Sequence, residues 1–168
     1  MLLRLILRIC FNMGRIIKVV KSIYGKIDWE IIRQQLLRIL KKTVIIKENN
    51  MLVKFDKRFI KEYTASLYTQ RSNKKIKSIK ANIAIKIIDL IENSGHIVRE
   101  ENLKSKHKRD AYFGWEKYKC RFKYESKNEL GIVMIEYFSC CVVIRCPNIN
   151  EKYIYDIVDI KKETNQSQ

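Results

Sequence analysis

Apolar positions recur at helical spacing in the first half of the chain and at strand spacing in the second. In residues 29–42, Trp29, Ile32, Leu36, Leu37 and Leu40 fall on one helical stripe. Asp28 is placed to cap the N-terminus, and Lys41 and Lys42 suit the negative end of the helix dipole. This predicts a helix with one buried face. Residues 43–47 and 52–55 are short β-favouring runs around Glu48, Asn49 and Asn50, which predicts a hairpin or loop. From Asp56 the helical period returns, with Phe59, Tyr63 and Leu67 near one side, until a polar break at residues 71–75. A second long helix is then expected, striped by Ile76, Ile79, Ile83, Ile87, Leu90 and Ile91 and ended by Asn93, Ser94 and Gly95.

After Gly95 the period becomes two. In WEKYKCRFKYE, Tyr118, Cys120, Phe122 and Tyr124 alternate with Lys117, Lys119, Arg121 and Lys123, so one side is core and the other is a ladder of four positive charges. Two further strands are expected in GIVMIEYF and CCVVIRC, closed by Pro147 and a turn at residues 148–150, and a last one in YIYDIVDI. The reading is therefore α+β: N-terminal helices followed by a C-terminal antiparallel β-sheet of about four strands. The expected organisation is a basic helical extension over residues 1–50, an α+β domain over 51–162, and a disordered polar tail over 163–168.

Charge changes this picture by naming a class of partner. The 168 residues hold 35 Lys and Arg against 18 Asp and Glu, a formal net charge of +17. No fold requires such an excess; it speeds encounters with phosphate backbones or anionic membranes. Codon bias toward Lys, Ile and Asn is the other source of such a charge. The five cysteines, Cys10, Cys120, Cys140, Cys141 and Cys146, have neither CxxC spacing nor a histidine at ligand spacing, so no metal site or cofactor is implied. Three of them lie among strand formers, as thiols do in proteins of a reducing compartment, and cytoplasmic action is expected. The opening MLLRLILRICFNM is interrupted by Arg4 and Arg8 before it could span a membrane and carries no small-residue cleavage site. Residues 2–20 read either as a basic amphipathic helix touching a membrane surface or partner through residues 1–26, or as a helix packed on the domain.

The densest polar cluster is KSKHKRDAYFGW, where Lys106, Lys108 and Arg109 flank His107 and Asp110 follows three residues on. RNA cleavage without metal needs a base for the 2′-hydroxyl, an acid for the 5′ leaving oxygen, and cations for the phosphorane. A histidine among cations suits the acid and cation roles; the same segment also reads as a solvated basic loop. His96 beside Gly95 reads as an exposed helix cap. Tyr155 and Asp156 are adjacent in the last strand, so only one of them can share a side with the core.

From about residue 61 to 162, three fifths of the chain, the order of segments resembles the barnase-like ribonuclease toxin domains. That superfamily unites barnase, EndoU, colicin tRNases and RelE and occurs in phage-associated and polymorphic or contact-dependent toxins. The matching segments are KEYTASLY, IIDLIENS, HKRD followed by AYFGWEKYKCRF, two core strands, and YIYDIVDIKKE. The resemblance implies an endoribonuclease site on a sheet face, carried onto His107, Asp110, Arg121, Tyr155 and Glu62 or Tyr63. Glu62, or a water held by Asp110, would activate the 2′-hydroxyl. Lys106 and Arg121 would stabilise the phosphorane, and His107 would protonate the leaving oxygen. Lys106, Arg109, Lys117, Lys119 and Lys123 would track RNA, with Trp115 and Tyr118 as stacking surfaces. The resemblance also implies an acidic immunity or antitoxin protein that covers the basic face.

Two other readings use the same residues. One is a non-catalytic nucleic-acid-binding protein of phage or plasmid origin; the other is a membrane-surface or partner-binding protein driven by its N-terminus. The chain lacks a P-loop, GxGxxG, GxSxG and HExxH, so nucleotide hydrolysis, dinucleotide chemistry and zinc peptidase activity have no warrant.

Overall fold

The computed structural model of the chain describes residues 15–69, 73–103 and 111–164. Along the chain run β1 (Ile17–Val20), α1 (Trp29–Leu37), β2 (Thr43–Ile46), β3 (Met51–Lys54), α2 (Lys57–Thr69) and α3 (Lys74–Ile83). A 3₁₀ turn (Ala84–Lys86) leads to α4 (Ile87–Glu92), then β4 (Gly95–Glu100), β5 (Trp115–Lys127), β6 (Val133–Arg145) and β7 (Tyr153–Lys162). The strands form one seven-stranded sheet in the order β1-β5-β6-β7-β3-β2, with β4 also on β5.

The expected order of helices first and a four-stranded antiparallel sheet second is overturned. The architecture is α+β, but the sheet is mixed: β1 runs parallel to β5, and β3 runs parallel to β7. Strands β1, β2 and β3 come before or between the helices. Residues 17–20, expected to be helical, form β1 because Val19 drops into the core at 0 % exposure while Lys18 faces solvent. Four residues of IKVV satisfy either period, and pairing with the long strand decides between them. GIVMIEYF and CCVVIRC are also one strand, β6, paired with β5 from Trp115↔Arg145 to Lys127↔Val133.

Local chemistry accounts for most element ends. Asp28 Oδ1 accepts the amides of Glu30 and Ile31 at 2.9 and 3.3 Å, capping α1, and Asp56 Oδ1 accepts the Phe59 amide at 3.0 Å before α2. Asn73 caps α3 through the Lys75 amide. Asn50, at φ +55°, turns the β2–β3 hairpin. The long helix expected across residues 76–91 is broken at Ala84–Lys86, and the Asn82 side chain just before the break is buried. Its oxygen accepts the amides of Ser22 and Ile23, and its nitrogen donates to the Ser78 carbonyl, which ties the β1–α1 connection to α3. His96 lies within β4 rather than at a helix end.

One face of the sheet carries the core. Phe59, Tyr63, Ile79, Ile83, Ile87, Leu90 and Ile91 from the helices join Tyr118, Cys120, Phe122, Phe138, Cys140, Val142, Ile144, Ile154 and Ile157 from the strands in one buried cluster. Phe122 and Phe138 stack across the β5–β6 pair with centroids 5.7 Å apart. Each such aliphatic or Phe side chain contributes about 1.5–3 kcal/mol on burial. A left-handed turn at Gly114 sets the start of β5: its φ is +91°, and a Cβ there would stand 2.3 Å from the Glu100 carbonyl oxygen. Gly114→Ala is therefore expected to lower the unfolding free energy by about 1–3 kcal/mol, because neither the φ nor the backbone contact accommodates a methyl group. A denaturant midpoint equal to that of the parent protein would refute this.

Candidate functional site

Strand β7 touches β3 only at Lys54↔Tyr153, and α2 packs against β7. A register irregularity opposite Val143 and Ile144 puts both Asp156 and Ile157 in the interior, while Tyr155 between Ile154 and Asp156 stays half-buried. Helix α2 carries Arg58 and Glu62 one turn apart. The Glu62 carboxylate lies within charge and hydrogen-bonding reach of the Tyr155 hydroxyl, and Arg58 lies within electrostatic reach of the same hydroxyl. From the far end of β5, Trp115 meets Tyr155 edge to face, with centroids 4.9 Å apart and planes at 71°. Glu62, Trp115 and Tyr155 come from three separate parts of the chain and meet at one spot.

Burial holds the Tyr155 phenol above its ordinary pKa, and the charge and hydrogen bond of Glu62 push the same way. Tyr155 is thus a protonated donor at neutral pH, beside a carboxylate that can accept a proton. Behind it lies a buried ion pair. Lys80 Nζ on α3 stands 2.8 Å from Asp156 Oδ1, with side chains 3 % and 8 % exposed, and 4.6 Å from the centre of the Tyr63 ring. Burial raises the Asp156 carboxyl and lowers the Lys80 ammonium despite their mutual attraction, and the charge of Glu62 raises Asp156 further. The Tyr63 hydroxyl donates to the Lys80 carbonyl at 2.5 Å and burial raises its pKa, so Tyr63 is a core residue of this arrangement.

The charge ladder forms as a row, but carboxylates meet most of it. Lys117 Nζ lies 2.7 Å from Glu100 Oε1. Arg121 makes two 2.7 Å bonds to Glu163, and Lys123 shares Glu125 with Lys18. Lys119 is exposed. Arg121 stands six residues from Trp115 along β5, about 20 Å away. Tyr118, expected as a stacking surface, is fully buried on the opposite face. It donates to Glu116 Oε2 at 3.0 Å and accepts from Asn49 Nδ2 at 3.0 Å, while Lys152 Nζ lies 2.5 Å from Glu116 Oε1. Lys106, His107, Arg109 and Asp110 lie outside the described residues.

Arg58 escaped the sequence reading, although its i, i+4 spacing from Glu62 was a usable signal. The buried Glu116–Tyr118–Lys152 network left no comparable trace, since it joins β5 to the approach of β7 only in three dimensions. Among the described residues, no three His, Cys, Asp or Glu side chains are placed to hold a metal ion, and no helix is long and apolar enough to cross a membrane. Cys120, Cys140, Cys141 and Cys146 are free thiols. No protein-family model matches the chain, and comparison with curated proteins and with solved structures gives no match.

Proposed function

We propose that this chain binds RNA and cleaves it as an endoribonuclease at the Glu62–Tyr155–Trp115 cluster. The observation that carries the reading is the meeting of a carboxylate, a half-buried phenol and an indole around one residue of β7. Glu62 takes the proton of the 2′-hydroxyl, whose oxygen attacks the adjacent phosphorus as the bond to the 5′ oxygen breaks. Tyr155 donates a hydrogen bond to the phosphoryl oxygen on which charge develops, and Arg58 adds a cation beside it. The leaving 5′ oxygen takes its proton from His107, an assignment supported by the local sequence alone. The products are a 2′,3′-cyclic phosphate and a 5′-hydroxyl, and no step calls for a metal. A net charge of +17 supplies the attraction to RNA.

This activity belongs with a toxin acting in the cytoplasm, where RNA is the target, and an acidic inhibitor would protect the cell that makes it. The test is incubation of the pure protein with total tRNA and ribosomal RNA in EDTA, read on a denaturing gel. Discrete fragments ending in cyclic phosphate are expected. RNA that stays intact yet shifts on a native gel would leave a non-catalytic RNA-binding protein in place of the nuclease.

A further inference from the structure

Four cations that make no salt bridge among the described residues gather between two helices. Helices α1 and α2 lie side by side with opposite polarity, since the N-terminal end of α1 shares a cavity with Thr64 while Leu37 shares one with Lys57 and Ile60. The two cavities, about 590 and 540 Å³, both reach Arg33 and Thr64 and so form one cleft. Lys26 and Arg33 line it from the α1 side, Lys57 and Lys61 from the α2 side, and all four are exposed. None of the four makes a salt bridge among the described residues. Two acids also line the cleft, Asp28, which caps α1, and Glu30, which accepts from Gln34 at 2.8 Å, so four cations stand against two carboxylates. Trp29, half-buried at the mouth, adds an aromatic surface.

We propose that this cleft is a phosphodiester-binding groove that holds the backbone of single-stranded RNA. It rests on the reading above for the identity of the polyanion, and its position deepens that reading. Lys57 and Lys61 face the cleft, while Arg58 and Glu62, the next residues on the same helix, face Tyr155. A strand lying between α1 and α2 therefore crosses one helix to reach the cluster. Lysine and arginine on both walls suit a backbone with one charge per residue, and an indole suits a stacked base. The paired ladder on β5 offers less, because phosphate there would first have to displace Glu100, Glu125 or Glu163. The sheet face is thus the lesser contributor to affinity, and the groove the greater.

The probe is a fluorescent single-stranded RNA twelve nucleotides long, its riboses 2′-O-methylated so that it cannot be cleaved, titrated into the full chain at several salt concentrations. The double variant Arg33→Gln/Lys61→Gln is expected to weaken binding at least tenfold and to lower the slope of log affinity against log salt by about 1.4, or 0.7 per lost phosphate contact. Both changes are on exposed side chains, and circular dichroism checks that the fold is retained. Should that variant unfold, Lys57→Gln and Lys26→Gln singly, each expected to lower the slope by about 0.7, give the same test. Unchanged affinity and slope in folded variants would overturn the groove. So would equal binding of a probe of the same sequence with an uncharged backbone. Displacement of the RNA by poly-glutamate more readily than by unlabelled RNA of equal charge would assign the cleft to an acidic protein instead. Glu62→Gln separates the two claims: it should bind the probe like the parent, so loss of cleavage with binding intact concerns the catalytic cluster alone.

Discussion

Glu62→Gln is expected to lower RNA cleavage by about 10²–10⁴-fold, the usual contribution of a positioned general base, while the protein stays folded and binds RNA as before. The amide keeps the shape and can still meet the Tyr155 hydroxyl but has no basic oxygen to take the 2′-hydroxyl proton. Its effect on stability separates a working site from a structural one. The charge of Glu62 raises the buried Asp156 carboxyl, so it works against the carboxylate of the Lys80–Asp156 pair. Removing that charge should leave the melting temperature unchanged or higher, as when a residue kept for function is neutralised. Tyr155→Phe provides the companion measurement. It preserves the edge-to-face contact with Trp115 and deletes only the hydroxyl, and a loss of about 10²-fold is expected from removing one donor to the developing charge. Cleavage products from Glu62→Gln at the parent rate would dismiss this cluster as the active site.

Lys80→Met is expected to destabilise the fold by about 3–5 kcal/mol, because it leaves the Asp156 carboxylate buried without its partner. The pair itself is no net gain over apolar residues: burial outweighs attraction at both groups, raising one pKa and lowering the other. The double variant Lys80→Met/Asp156→Leu should therefore recover most or all of the parent stability in urea denaturation. The pH dependence of Lys80→Met has a definite sign. A carboxyl whose folded pKa lies above its ordinary 3.8 contributes most when protonated, and that contribution is lost as pH rises through the folded value. The deficit of the single variant should thus shrink as the solution is acidified and be largest at neutral pH. A deficit below about 1 kcal/mol, or one flat with pH, would mean that water reaches Asp156 and that the pair is not the buried unit described here.

The two experiments probe neighbouring residues with opposite logic. Asp156 and Lys80 hold β7 to α3, and Tyr155, next in the chain, lies beside α2. Rigid support one residue away suits a hydroxyl whose position must be held within a fraction of an ångström to meet the developing charge on the phosphoryl oxygen.

Features written in consecutive residues were legible in the sequence. The stripe of Trp29, Ile32 and Leu36, the cap at Asp28, the β2–β3 hairpin around Asn50, and the inward Tyr118, Cys120, Phe122 and Tyr124 of β5 all lie where periodicity and turn chemistry put them. The net charge and the polar face of β5 were equally plain. Tertiary structure decided the rest. A four-residue strand such as β1 carries too few positions to display a period, and only the free edge of β5 makes it a strand. The 3₁₀ break after Ile83 interrupts a stripe that satisfies helical spacing on both sides, so the pattern is silent about it. The charges of the β5 ladder were visible, but their neutralisation by Glu100, Glu125 and Glu163 was not. Two of those carboxylates arrive from other strands or the chain's end, and alternation along β5 carries no record of them. Likewise Glu62, Trp115 and Tyr155 were each readable as candidates, but their meeting was not, because it depends on how α2 packs against β7. Periodicity reports what a residue's own element buries; which elements face one another is settled by packing between residues far apart in the chain.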